Sequence, residues 1–420
     1  MLKKRLIQRR RYVNPDILVV GIDIGKNKHA AVGTSLHSGF TKPFYIRNKR
    51  SSYEAFESAV DRWKERFECK DVIFSFESTG HYWKPLIYYL KNKDKHIVEV
   101  STNYTKKAKE LMDNSLLKCD PKDARVIADL VEQGKILTPI LPEGDILSLR
   151  EIVHTRENLI KERTSILNRL EKIMDVAFPE RREVIKKVGG KTSLYLLKES
   201  PFPEDIIEKG LEWLEEKMWK KSMGHYNHLD AERLYKSAME TVGLKQGREG
   251  STYELRTLLP RLKVLNREIE KIQSRIEQML ADIEETSYIL SIKGISTVTA
   301  AIIIAESGGL SNYDKISSVL KVAGLNLFEI SSGKHKGKKH ITKRGRNLMR
   351  HKLYFAALQQ ARKGMPLNYF YRRLIENNGV NENKALIAVA IKLLKIMFAL
   401  VKDRRVFEWN YEYKELKKVA

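Results

Sequence analysis

ILVVGIDIGKNKHAAVGT, residues 17–34, reads as two strands joined by a turn. Residues 17–24 are an apolar run rich in branched side chains, the composition of a buried strand. Gly25 and Lys26 supply the turn, and His29 to Ser35 reads as the returning strand of a hairpin. Phe44 to Ile46 fits a third, edge strand. Outward from there the pattern alternates. A helix is expected over 51–68, with Phe56, Val60, Trp63 and Phe67 on one side, then a strand over Val72 to Phe76 and a helix over 81–91. A strand over His96 to Val100 and a helix from about Thr105 to Met112 follow. The helix 121–131 opens on Pro121, where a missing N–H costs little.

Three strands followed by alternating helices and strands is the order of a ribonuclease-H-like, mixed α/β domain. A dinucleotide-binding sheet is the structural rival, but its glycine-rich helix start is missing. GIDIG, residues 21–25, also resembles the first phosphate loop of actin-like sugar kinases, whose second phosphate loop and adenosine motif are missing.

The rest reads as helical. Leu149, Val153, Arg156, Ile160, Arg163, Leu167, Leu170 and Met174 follow a 4-3-4-3 spacing, broken only by the two arginines. Leu258, Leu262, Leu265, Ile269, Ile272, Ile276, Met279 and Ile283 keep that spacing with no exception. Both predict long packed helices of coiled-coil type, over 145–178 and 251–284. A charge buried without a partner is costly, so Arg156 and Arg163 argue against a closed pair within one chain and for a seam that opens onto another protomer or onto nucleic acid, and at least a dimer is expected. Residues 179–250 read as a helical insert. From 285 to 405 a further helical domain is expected, opening on SIKGIS, residues 291–296, with the look of a helix-hairpin-helix unit. Such a hairpin, at Gly294, offers backbone N–H groups to a phosphate.

A chain of 420 residues is too long for one ordinary core. Its 78 Lys and Arg against 53 Asp and Glu give a formal charge of +25, an excess that suits a polyanionic partner. Two cysteines, Cys69 and Cys119, support neither a disulfide framework nor a zinc site, and a reducing compartment is expected. There is no 18-residue apolar run and no secretory signal, so no membrane role is expected. Residues 1–15 read as a basic arm.

Four acids stand out against this charge. Asp23 and Glu77 follow the two apolar strands, and Asp120 and Asp123 open a helix three residues apart, on a shared face. Phosphodiester transfer needs the scissile phosphate held in line and its oxygens neutralised. Two divalent ions about 4 Å apart do both, and carboxylates hold them. Asp23 as a turn acid and Asp120 as a helix cap are the plainer readings of each alone. Lys26, Lys28 and Lys118 are candidates for phosphate contact.

The second constellation is SSGKHKGKKHITKRGRNLMR, residues 331–350, with eight Lys or Arg from Lys334 to Arg350 and no acid. Lys334, Lys336, Lys338, Lys339, Lys343, Arg344 and Arg346 fit a grip on nucleic-acid backbone. The serines before them suit either a phosphate hydrogen bond or a nucleophilic hydroxyl.

With ID-x-G-x-x-x-H at the start, E-x-T-G at Glu77, D-x-x-D-A at Asp120, the hairpin near 294 and then SG and KRG, the chain resembles the DEDD-type insertion-sequence transposases. These are the bridge-RNA-guided recombinases, related to Piv invertases, and the resemblance runs over about 17–402. It implies a RuvC-like domain over 16–140 whose Asp23, Glu77, Asp120 and Asp123 bind Mg²⁺, Mn²⁺ being able to substitute. It implies a coiled coil for assembly and a transposase domain with Ser332 as nucleophile, Ser331 being the adjacent alternative. The function implied is RNA-guided cleavage and rejoining of DNA through a phosphoserine, for insertion and excision of a mobile element. Implied partners are double-stranded target and donor DNA, a structured noncoding bridge RNA, and further copies of the chain, as dimers paired into tetramers. The implied location is the prokaryotic cytoplasm, at the nucleoid. Cys119 stands where the family usually has threonine, and the insert is longer than expected of a compact member. Two other readings remain: a RuvC-like junction resolvase that uses water, and a non-catalytic nucleic-acid scaffold.

Overall fold

A computed structural model of the chain describes residues 14–36, 38–112, 120–329 and 339–409. The chain divides into two compact units, one ending at Leu141 and one beginning at Pro142.

The N-terminal unit is a five-stranded sheet in the order β3-β2-β1-β4-β5. Its strands are β1 (Ile17–Asp23), β2 (His29–Thr34), β3 (Phe44–Ile46), β4 (Asp71–Glu77) and β5 (His96–Val100). β2 runs antiparallel to β1 and β3, whereas β1, β4 and β5 are parallel. This is the expected mixed, ribonuclease-H-like sheet. Side chains alternate across it. Leu18, Val20, Ile22, Phe74 and Phe76 face one layer, with Phe56 and Val60 of α1 (Arg50–Arg66) and Leu86, Ile87 and Leu90 of α2 (Lys84–Lys91). Val19, Ile73, Val98 and Val100 face the other, with Ile127, Ala128 and Val131 of α4 (Asp120–Glu132). Helix α3 (Thr102–Met112) packs beside α4.

Gly21 explains how closely α4 lies on β1. A Cβ there would stand 2.1 Å from the Ala124 carbonyl oxygen and 2.8 Å from the Ala128 nitrogen. Only glycine lets the helix backbone come so near the strand.

The second unit is helical apart from one small hairpin. Its two long helices are α5 (Gly144–Ala177) and α11 (Arg248–Ala281). They pair in opposite directions. Ile166, Leu170, Ile173 and Met174 meet Leu255, Leu258 and Leu262, while Leu149 and Val153 share a core with Ile276 and Leu280. This corrects the expectation from the arginines: the seam closes within the chain. Arg156 reaches Glu157 at 2.9 Å, and Glu157 also takes Lys352 at 3.3 Å. The Nε atoms of Arg156 and Arg163 are nonetheless buried without a hydrogen bond. They lie between the two apolar clusters, so the seam tolerates them where its packing is interrupted. The seam therefore gives no argument for a second chain.

The insert forms its own core from α6 (Arg181–Val184), α7 (Lys191–Glu199), α8 (Pro203–Lys209), α9 (Leu211–Ser222) and α10 (His228–Met239), around Phe178, Leu196, Ile206, Leu214, Met218 and Leu234. The last part holds α12 (Glu285–Leu290), α13 (Thr297–Ser307), α14 (Ile316–Ala323), α15 (Asn347–Gln360), α16 (Asn368–Glu376) and α17 (Glu382–Asp403). Every residue of α13 from Ala300 to Ser307 is buried, so this helix is the centre of the core. The sequence predicts helices over 315–323, 346–363 and 383–402, which match α14, α15 and α17, but not α16 or the hairpin of β6 (Leu327–Phe328) and β7 (His340–Ile341). Two-residue strands carry too little pattern to be read.

Candidate active site and nucleic-acid interface

In the N-terminal unit the parallel register pairs Ile22 with Phe76, which sets Asp23 beside Glu77 at the ends of two adjacent strands. Asp23 is the last residue of β1. Val19, Gly21 and Asp23 share one face by alternation, as do Ile73, Ser75 and Glu77, and it is the face that α4 covers. Asp123, in the first turn of α4 and just before the Ala124 that touches Gly21, comes to this same edge. The backbone of Asp120 is placed at the helix start; its side chain, like Lys118 and Cys119, lies outside the described residues.

Two side chains of α3, four residues apart on one face, serve these acids. Thr105 Oγ1 donates to Glu77 Oε2 at 2.7 Å. Lys109 Nζ lies 2.6 Å from Oδ2 of the buried Asp123. Next to Glu77, the Ser78 hydroxyl donates to Glu99 of β5. Sequence reading missed Thr105 and Lys109, because only the packed unit shows that this face of the helix meets the acids. Lys26 and Lys28 are exposed, and the Lys28 ammonium sits 4.0 Å from the centre of the Tyr45 ring.

Among the described residues no three His, Cys, Asp or Glu side chains close on one point as a metal site. The donor chemistry still fits a hard divalent cation. Asp23, Glu77 and Asp123 offer carboxylate oxygens at one sheet edge, and a cation, the Lys109 ammonium, already rests on one of them.

In the second unit, Ser331, Ser332, Lys334, Lys336 and Lys338 lie outside the described residues, but the foot of their segment is described. Thr342 binds Asn326 twice, backbone to backbone at 3.0 Å and Oγ1 to Oδ1 at 2.7 Å. The Lys343 amide donates to Gly324 O at 3.0 Å, and the Arg346 amide to Val322 O at 2.6 Å. Lys343 has φ +53° and Gly345 φ +148°. A Cβ on Gly345 would stand 2.3 Å from Val322 O, so the Lys343-Arg344-Gly345 turn is locked onto the end of α14. Lys339, Lys343 and Arg344 are left exposed.

Behind this turn is a charge network that the sequence reading did not find. Glu306, buried in α13, has His154 Nε2 at 2.7 Å from Oε1 and Arg150 Nε at 3.8 Å. Burial alone would raise its pKa; the His154 contact and the charges of Arg150, His154 and Arg346 outweigh it and hold the carboxyl below its usual range. A lone acid in an otherwise apolar helix was the available signal. Gly294 sits at φ +86° in the turn between α12 and α13, where Gln360 Nε2 donates to the Lys293 carbonyl at 2.6 Å. The Ile295 amide is already bonded to Ile292 O.

Residues 20–179 match the DEDD_Tnp_IS110 transposase family, and residues 286–372 match the transposase IS116/IS110/IS902 family. The chain belongs to the IS110/IS116 family of DEDD transposases. The first matched stretch contains the four acids, and the second contains both serines and the basic run. The insertion element IS116 uncharacterized 44.8 kDa protein of Streptomyces clavuligerus is 25% identical over 403 residues, covering 93% of this chain and 96% of its own length. Membership of this family makes the chain a transposase-type enzyme that acts on DNA. No described helix is long and apolar enough to cross a membrane.

Proposed function

We propose that this transposase cuts and rejoins DNA through a serine–phosphate intermediate, using Asp23, Glu77, Asp120 and Asp123 as ligands for Mg²⁺ and Ser332 as nucleophile. The observation that carries the reading is the placement of Asp23, Glu77 and Asp123 at one edge of a rigid sheet within a family of transposases. Bound there, the metal would supply charge neutralisation for the attacking and departing oxygens. The Ser332 hydroxyl forms a bond from Oγ to phosphorus as one P–O bond of the backbone breaks. The serine proton is released and the departing strand oxygen takes one up. Attack by a strand hydroxyl on the seryl phosphate reverses the step and joins new ends. Lys339, Lys343 and Arg344 hold neighbouring phosphates, and Thr105 fixes the orientation of Glu77.

The same reading takes the turn at Gly294 as a phosphate grip and a structured noncoding RNA as the guide that selects target and donor DNA. Copies of the chain act as dimers paired into tetramers, in the prokaryotic cytoplasm at the nucleoid.

The test incubates the full chain with Mg²⁺ and DNA bearing the element ends, then looks for protein joined covalently to DNA. Ser332→Ala is expected to remove that product with folding intact. Asp23→Asn and Glu77→Gln are expected to lower cleavage on the order of a hundredfold or more while DNA binding persists. Loss in Ser331→Ala alone moves the nucleophile by one residue. Cleavage without any covalent product replaces this reading with a hydrolytic resolvase.

A further inference from the structure

Helix α15 follows directly from the locked basic turn and presents a face that no described residue of its unit covers. Met349, Leu353, Ala356 and Ala357 turn inward to the core. Asn347, His351, Phe355 and Leu358 turn outward, at helical spacing, and Phe355 is 53% exposed. The rings of His351 and Phe355 stand edge to face with centroids 4.8 Å apart, and Tyr354 meets Phe355 at 6.0 Å. An exposed phenylalanine braced by two neighbours holds its orientation at little entropic cost.

Charge says what such a face would receive. No Asp or Glu occurs between Glu329 and Glu376. Lys343 and Arg344 lie before the start of the face, and Arg362 and Lys363 lie beyond its end, all exposed. A protein partner's apolar patch has no use for cations at both ends of a docking face, whereas a strand with phosphates along its edge and flat rings along the other does. From Asn347 to Leu358 the helix advances roughly 16 Å at about 1.5 Å per residue. That is the length of about five stacked nucleotides at about 3.4 Å each.

We propose that the outer face of α15 is a stacking platform for unpaired DNA bases, with Phe355 as the ring that receives a base, His351 as its brace, and Arg344 and Arg362 as phosphate contacts at either end. Strand exchange by a transposase exposes unpaired DNA beside the cut, which is the state this face would hold. The inference rests on the proposed DNA chemistry of the basic segment and names a further site beside it.

The test is fluorescence anisotropy of the full chain with a labelled single-stranded DNA and with the same sequence as duplex. Phe355→Ala is expected to weaken single-strand binding roughly tenfold, the usual effect of losing one stacked base, and to leave duplex binding within about twofold. Phe355→Trp should keep wild-type affinity, and Phe355→Leu should behave as alanine does. The slope of affinity against salt should not change, because no phosphate contact is lost, whereas Arg344→Gln should reduce it. If the wild type binds no DNA, the broader reading fails. If the wild type binds and Phe355→Ala binds equally well, only the platform fails. Full activity of Phe355→Leu would show an apolar protein-docking face instead, and loss confined to an RNA oligonucleotide would assign the face to RNA; either overturns the proposal.

Discussion

Glu132 in the N-terminal unit and Glu306 in the second unit are both sheltered from water, and their surroundings push them in opposite directions. Burial raises Glu132 to about 7, the nearby Asp129 adds to this, and a hydrogen bond from Thr34 opposes it. Glu306 is more deeply buried yet lowered, because His154, Arg150 and Arg346 surround it. The difference is one of supply. The second unit carries its own cations to its acid, and that acid helps hold the arginine that ends the basic turn. The N-terminal unit sets acids beside acids, with Lys109 on Asp123 as an internal cation at the edge where Asp23 and Glu77 end their strands. An edge built that way suits a cation brought from outside.

The comparison also predicts different weak points. The acid edge depends on backbone fit, so its most damaging small change is Gly21→Ala. The added methyl meets the Ala124 carbonyl, which cannot move without moving α4 and with it Asp123. Destabilisation of more than about 3 kcal/mol is expected, at or beyond the upper end for overpacking. Urea unfolding of the purified variant, or its failure to accumulate as folded protein, checks this. A variant as stable as wild type would mean that α4 is not seated by Gly21.

In the second unit the weak point is a side-chain charge. Glu306→Gln keeps the shape and removes the charge that Arg150, His154 and Arg346 face. A loss of about 2 kcal/mol at pH 7 is expected, less than the about 3–5 kcal/mol of deleting one member of a buried pair outright. Because the folded pKa lies below the unfolded value, the stabilisation is present above about 4.5 and is lost as pH falls through the lowered folded pKa. The wild type and the variant should therefore converge in acid. A gap that stays constant from pH 7 down to strongly acid conditions would assign the loss to packing.

Much of this was legible in the sequence, and the reason differs by region. The sheet was readable because strands buried on both faces are continuous apolar runs, as in residues 17–24 and 72–76, and because a hairpin and parallel crossovers leave few orders to choose from. Asp23, Glu77 and Asp123 were readable because strand ends and helix starts fix where a side chain goes. The partners of Arg156 and Arg163 were not, because the spacing of a seam is the same whether its partner helix is in the same chain or another. Thr105, Lys109, Glu306, His154 and Arg150 escaped for a common reason. Each acts through a contact between elements far apart in sequence, and a polar residue in a helix gives no periodic signal of what it will meet. Phe355 escaped because a large apolar residue in a helix is read as core, and only the packed unit shows which ring is left outside.

The smallest effect expected is the one that tests the comparison most directly. Glu132→Gln removes a charge that its site disfavours, so it should stabilise the N-terminal unit, where Glu306→Gln destabilises the other. For Glu132 the folded pKa, about 7, lies above the unfolded value of about 4.5. Between those values the folded state binds more protons than the unfolded one, so wild-type stability falls as pH rises through this window and is flat above it. The full penalty is thus present at pH 8 and mostly relieved near pH 5. The carboxylate is only half withdrawn from solvent, so screening cuts the penalty to on the order of 1 kcal/mol. That corresponds to a rise in Tm of about 3 °C for Glu132→Gln at pH 8, shrinking to nearly nothing at pH 5. Thermal unfolding at the two pH values reads it. A gain of equal size at both would mean that the amide fits the site better for reasons other than charge, and a loss at pH 8 would mean that the Thr34 hydrogen bond stabilises the ionised form more than burial penalises it.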